Sequence, residues 1–176
     1  EKDATFNERG NGLRLVGEAM TYVLRGESFL ALSAVPLRMY FRTREGLETP
    51  DATISVMPFL TERVNRVRRL AKECGITMNV NVLRSESIGS IHIKSADPAE
   101  PPAIRFNFLS AEMDRTGILH AMRKGRELMA ASPIAEIVGE EIAPGAAYQT
   151  DEQLLEWVRN NAETTYHPIG TCKMGS

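Results

Sequence analysis

The chain has 176 residues, of which 43% are hydrophobic and 25% charged, with a formal net charge of -2. That length suits one domain with a real core, and the near-neutral charge gives no electrostatic reason to expect nucleic acid or an anionic membrane as partner. No apolar run approaches the roughly 20 residues of a transmembrane helix. The two cysteines, Cys74 and Cys172, form neither a CxxC pair nor a zinc-like spacing. Both read as buried free thiols of a cytoplasmic protein. Glu1 stands where a native start would carry Met, and no signal peptide is in view, so the beginning reads as other than the native one.

From the N-terminus, Leu13, Val16, Met20 and Val23 fall at spacings of 3, 4 and 3 within 12–25, and Gly26 follows. That is a helical stripe with a stop signal. Segment 34–43 reads as extended, with Pro36 favouring an edge. In 52–58 Ala52, Ile54 and Val56 alternate with Thr53 and Ser55, and in 76–82 Ile76, Met78, Val80 and Val82 alternate with Thr77, Asn79 and Asn81. Period 2 predicts half-exposed strands. Between them, 63–72 carries a basic cluster among Val64, Val67 and Leu70, read as the solvated face of a helix, with an anion or partner contact as the alternative. The turn at 84–90, with Gly89, leads to a strand at 90–94 with Ile91 and Ile93 inward, expected to form a hairpin with 76–82.

A proline-rich loop occupies 95–104. Ser110 is placed to cap a helix over 111–130, with Glu112 and Asp114 in its first turn and Ile118, Met122 and Met129 on one face, close to Leu119 and Leu128. Segment 131–145 looks irregular. Thr150 and Gln153 make a capping box for a helix from 151 to about 162, packed through Leu154, Leu155, Trp157, Val158 and Ala162. Alternating strands, late helices and no regular βαβ rhythm predict an α+β fold, an antiparallel or mixed β-sheet with helices packed on one face. No GxGxxG and no P-loop occur, so nothing in the chain cradles a pyrophosphate.

The three histidines are the candidates for chemistry. His92 lies on the polar face of a strand and reads as exposed; His120, inside a helix beside apolar neighbours, reads as structural. His167 precedes Pro168, which disfavours helical backbone, and Gly170 and Gly175 permit close approach by a ligand or another segment. An imidazole, with an ordinary pKa of about 6.5, suits general-base work at neutral pH. A lone His with no visible partner reads first as structural, and the residues by themselves leave the base role only as the alternative.

The stretch Tyr166–Gly175, "YHPIGTCKMG", resembles the C-terminal signature of the glucose–methanol–choline (GMC) flavin oxidoreductases. Upstream, "LRSESIGSIHIKSADPAEPPAIRFNFLS" at 83–110 is similar to that family's strand, serine–glycine turn and strand, followed by its D-P…P…N-Y-L block. "PDATISVMPF" at 50–59 resembles its P-D-x-Q strand, and "EIAPG" at 141–145 has the family spacing into the signature. The likeness is good over 50–176 and loose over 1–49. Two departures stand out: Ile88 sits where many members carry Arg in a Ser-Arg-Gly turn, and Phe108 where Asn-Tyr is usual.

The resemblance implies that 1–176 is the substrate-binding domain of an FAD-dependent alcohol oxidoreductase of choline dehydrogenase type, the FAD-binding domain lying elsewhere in the same parent chain. It implies that His167 lies by the flavin as base or hydrogen-bond partner to the substrate hydroxyl, with Pro168 and Gly170 near the cofactor and Tyr166, Tyr40 and Phe41 near the substrate. The family's second His or Asn falls beyond Ser176, so the chain reads as a fragment that would not retain FAD. The expected partners are a small-molecule alcohol and the FAD-binding domain, with no nucleic acid, no metal and no transmembrane segment, and peripheral membrane association of the parent is left open. A stand-alone binding module with a structural His167 is the alternative. Aromatic residues are only 6% and show no evident cage for a quaternary ammonium.

Overall fold

The computed structural model describes residues 5–64, 67–170 and 174–175. It divides into two compact units: Glu1–Leu83 with His120–Gly139, and Arg84–Leu119 with Glu140–Ser176. Strands and helices combine as an α+β arrangement in which all the described strand pairings are antiparallel.

The first unit is built on a three-stranded sheet in the order β1 (Leu37–Phe41), β2 (Ala52–Met57), β5 (Thr77–Val82). Register places Met39, Ile54 and Val80 in one row across it, and Val56 beside Met78. The second half of helix α3 (Glu112–Ala130) covers this apolar face. A Cβ built on Gly125 would come within 2.8 Å of Met78 Sδ, so the glycine leaves room for the Met78 side chain between helix and strand. Ala52, Ile54, Ala121 and Met122 form the core there.

Several expectations are corrected in this unit. Strand β2 is buried on both faces along Ala52–Ser55, because it is the central strand rather than a half-exposed one. The partner of β5 is β2, not 90–94. The basic stretch is no helix: β3 (Thr61–Val64) pairs with β4 (Val67–Leu70) as an antiparallel hairpin. Its Val and Thr residues favour extended backbone, and the hairpin base is tied to short helix α1 (Phe6–Arg9) through the buried Asn7. The Asn7 amide donates to Leu60 O and Ala71 O, each at 2.9 Å, and accepts from Leu60 N at 2.8 Å. Cys74, expected buried, is exposed, and Cys172 lies outside the described residues.

Helix α2 spans Gly12–Arg25, as its periodicity predicts, and ends on Gly26 at φ 69°, whose N–H bonds Tyr22 O at 2.8 Å. Its apolar stripe is uncovered among the described residues: Leu13 is 89% exposed, and Val16, Met20 and Val23 are exposed with it.

In the second unit β6 (Ser90–His92) pairs with β7 (Ala103–Arg105), setting Ile91 opposite Ile104. A Cβ on Gly89 would lie 2.2 Å from Arg105 O, so only glycine admits this crossing. Ile91 and Ile93, expected inward, are exposed, since no described element forms a layer over the two-stranded ribbon. His92 is exposed as expected.

Helix α3 begins at Glu112 rather than 111, and Ser110 offers its carbonyl to Arg115 Nη1 at 2.6 Å. Its buried positions are Asp114, Gly117, Ala121, Met122 and Gly125, a face of mostly small residues, while Ile118, Leu128 and Met129 are half-buried beside it. His120 points off this face and is exposed, against the expectation of a structural histidine. Helix α4 (Asp151–Asn161) has the full capping box, Thr150 and Gln153 bonding reciprocally, and buries Leu154 and Val158. Ala162 is its exposed C-cap rather than part of the packing stripe.

Candidate functional site

The C-terminal segment of the second unit leaves α4 at Ala162, whose backbone is extended at φ -69° and ψ 147°. No described strand follows. Tyr166 N bonds Thr164 Oγ1 at 3.0 Å, and Tyr166 adopts φ 61°, a left-handed conformation uncommon for a residue with a Cβ. The chain turns there, one residue before His167. His167 and Pro168 are exposed, Tyr166 is 82% exposed, and Gly170 sits at φ 86° with open space around it. With Ile169, 85% exposed, residues 166–170 form one continuous exposed run. Thr171, Cys172 and Lys173, inside the signature, lie outside the described residues.

Tyr40 and Phe41 belong to the first unit, on β1. Successive side chains on a strand point to opposite faces, so the structure separates these two. Phe41 shares a row with Ala52 and Val82 on the apolar face, whereas Tyr40 shares one with Thr53 and Asn81. A second polar row runs parallel to it, through Arg38, Ser55 and Asn79.

Six polar residues therefore occupy one face of the sheet, in an array about 10 Å across the strands and about 7 Å along them. Its middle is buried, Thr53 at 4% and Ser55 at 3% exposed, and its rim of Arg38, Tyr40 and Asn79 is open. Thr53 Oγ1 donates to Met39 O at 2.9 Å, and Ser55 Oγ accepts from Arg38 Nε at 3.0 Å. The sequence showed the alternation of Thr53 with Ser55 and of Asn79 with Asn81. It did not show that Arg38 joins them, because strand register is a long-range property.

A third feature lies at the serine–glycine turn. Asp114, in the first turn of α3, is 2% exposed and accepts from Ser85 Oγ at 2.9 Å, Glu86 N at 2.8 Å and Ser87 N at 2.9 Å. Ser87 Oγ in turn accepts from Ala111 N at 3.1 Å. Burial pushes the Asp114 carboxyl up, but these donors outweigh it and hold the pKa below its ordinary value. Sequence reading assigned Asp114 only to the helix dipole. Its grip on a loop about 28 residues away carries no local signal. Asn107 takes φ 54° and donates from Nδ2 to Ile88 O at 3.0 Å, so it anchors the middle residue of the Ser87-Ile88-Gly89 turn. Phe108 stacks on Phe106, ring centroids 4.9 Å apart, and is exposed.

Among the described residues no group of three or more His, Cys, Asp or Glu is placed to hold a metal ion. No described helix is long and apolar enough to cross a membrane.

Comparison with known proteins follows the same outline. Residues 85–176 match the C-terminal family model of the GMC oxidoreductases. The chain is 42% identical over 136 residues to the oxygen-dependent choline dehydrogenase of Escherichia coli O127:H6 (strain E2348/69 / EPEC), covering 77% of this chain and 24% of that protein. The same figures hold for the enzyme of Escherichia coli (strain SE11). The chain thus spans about a quarter of the length of these relatives.

Among solved structures, pyridoxine 4-oxidase from Mesorbium loti superposes with a TM-score of 0.67 at 17% identity over 79% of this chain and 27% of that one. A formate oxidase of Aspergillus oryzae RIB40, in which FAD modification occurs, superposes with a TM-score of 0.74 at 14% identity over 95% of this chain and 34% of that one. At those identities the likeness is one of fold. The sequence matches carry the assignment further: the chain belongs to the GMC oxidoreductase family.

Proposed function

We propose that this chain is the substrate-domain portion of an FAD-dependent oxidoreductase acting on CH–OH donors, choline dehydrogenase-like, with His167 as the residue that takes or shares the hydroxyl proton. The observation that carries the reading is the run Tyr166–Gly175, inside the family-matched region 85–176, with His167 exposed on it. When bound, FAD supplies the acceptor for the hydride leaving the carbinol carbon. As that hydride leaves, positive charge builds on the carbon. Transfer of the hydroxyl proton to a ring nitrogen of His167 lets the oxygen lone pair compensate it, which lowers the barrier.

The chain's own residues fit the ring end of such a cofactor and not its phosphates. Around Gly170 there is open space, and the exposed Pro168 and His167 leave room for a planar ring. With no GxGxxG, the chain carries no cradle for a pyrophosphate. The proposed partner is accordingly an FAD-binding domain of the same parent chain. The uncovered apolar surfaces of α2 and of the β6–β7 ribbon support that proposal. Tyr166 and Tyr40 are proposed to contact the alcohol. Phe41, on the opposite face of β1 from Tyr40, would act by supporting that strand. The working compartment is proposed to be the cytoplasm, the parent being free to associate with a membrane surface.

The test is His167→Gln in the full-length parent, assayed with an alcohol panel and an artificial electron acceptor. Loss of a positioned base costs roughly 10²- to 10⁴-fold in kcat. An undiminished kcat would remove His167 from the chemistry.

A further inference from the structure

Helix α2, within the first unit, is oriented the wrong way round for a surface helix. Its half-buried residues are Glu18 and Thr21, while Leu13, Val16, Met20, Val23 and Leu24 are exposed. At 3.6 residues per turn, Glu18 lies about 180° around the helix from the mean direction of Leu13, Val16, Met20 and Val23. A surface helix ordinarily turns its apolar stripe to the core and its charges to water; α2 does the reverse. Glu18 holds it so. Its Oε1 accepts from Arg9 Nε of α1 at 2.7 Å, and its Oε2 accepts from Ser28 Oγ at 2.6 Å, next to the 3₁₀ turn Phe29–Ala31. The Arg9 guanidinium lies over the buried Phe29 ring, 5.6 Å from its centroid. On the outward side Val16, Ala19, Met20, Val23 and Leu24 line an open groove of about 330 Å³.

We propose that α2 is a clasp: its outward apolar seam docks on the remainder of the same parent chain, and Glu18 is the positioning residue that aims it. The proposal rests on the reading above that the chain is a portion of a longer enzyme. It adds which element grips the rest and what orients that element. The matched choline dehydrogenases carry only 24% of their length in the region shared with this chain, so most of such a parent is tethered to α2. A tethered surface is present at an effective concentration of roughly millimolar, above what a second copy ordinarily reaches. The seam's spacing of 3, 4 and 3 suits packing against another helix or between two. A lipid surface fits less well. Helices that lie on membranes carry a polar face rich in basic side chains for the headgroups, whereas here Arg9 pairs with Glu18 and Arg14 pairs with Glu8 at 3.1 Å.

The experiment is hydroxyl-radical footprinting of the full-length parent, read by mass spectrometry at Met20 and Leu24. Both side chains are expected to be oxidised at least about tenfold more slowly in the native parent than in urea, since a covered side chain reacts only through local opening. That protection should be the same after a hundredfold dilution and without any lipid. Met20→Lys places a charge on the seam and is expected to raise Leu24 oxidation about tenfold. Glu18→Gln keeps the size of the side chain and removes its charge. It is expected to raise Met20 oxidation about three- to tenfold, while hydrogen exchange of the α2 backbone amides stays slow.

Native oxidation as fast as in urea shows an open seam and overturns the clasp. Protection that disappears on dilution assigns the seam to a second copy, and protection that arises only with phosphatidylethanolamine–phosphatidylglycerol vesicles assigns it to lipid; either result overturns the proposal. Fast amide exchange throughout α2 in Glu18→Gln shows that Glu18 keeps the helix folded rather than aimed. These readouts are independent of turnover. A parent that covers Met20 yet oxidises no alcohol would remove the functional reading and keep the clasp, and an open Met20 in an active enzyme would do the opposite.

Discussion

Asp114 stays ionised although it is 2% exposed, because two backbone N–H groups and a serine hydroxyl converge on its oxygens. Its pKa is lowered in the folded state. The stability it contributes is therefore complete above its unfolded pKa of about 3.9 and is lost as pH falls through the lower folded value. Asp114→Asn is expected to lower the melting temperature at pH 7, since a carboxamide can accept with one oxygen only and turns an NH2 toward N–H donors, a cost of about 1–3 kcal/mol. It is also expected to flatten the fall in melting temperature below about pH 4. Melts from pH 3 to pH 7 check both, and an acid limb as steep as wild type's would contradict the assignment. Asp51 is depressed as well, with burial opposing it and Thr43 and Arg44 prevailing, so some acid sensitivity survives the substitution. His167 is the opposite kind of residue. It stands in a segment with few internal bonds, and its proposed meaning comes from what the segment presents rather than from what it stabilises.

Among the elements, two helical glycines have contrary settings. Gly17, inside α2, has nothing within 4 Å of a built Cβ, whereas Gly125, in α3, faces Met78 Sδ at 2.8 Å. Gly17→Ala should stabilise by up to about 1 kcal/mol through helix propensity. Gly125→Leu should destabilise by about 1–3 kcal/mol by forcing helix and sheet apart. Urea unfolding of the two variants measures both, and equal signs would refute the packing described.

The same contrast separates legible elements from illegible ones. Helix α2 and the α4 capping box were readable because stripe, cap and stop signal lie within one turn of the residues they govern. The β3–β4 hairpin was not, because Val64, Val67 and Leu70 fall at spacings of 3 and satisfy a helical period as well as they do an antiparallel register. In α3 the apolar residues suggested a face through Ile118 and Met122, yet the buried face is centred on Gly117, Ala121 and Gly125. Helix against sheet rewards close approach there, and small residues allow it.

For the molecule as a whole, the uncovered apolar surfaces and the absent pyrophosphate cradle bear on one measurement. The 176-residue chain, purified alone, is expected to show no flavin absorbance near 450 nm after mixing with FAD and removing the free cofactor. A retained flavin spectrum would overturn that expectation. Family membership and the α+β class followed from local sequence, because a long signature and period-2 and 3.6 patterns are written in residues close together along the chain. Strand partners, the two-sided burial of β2, the Asp114 clamp and the alignment of Arg38 with Ser55 and Asn79 were settled by packing between distant segments. Such contacts depend on register, and a shift of one residue would turn every side chain of a strand to its other face.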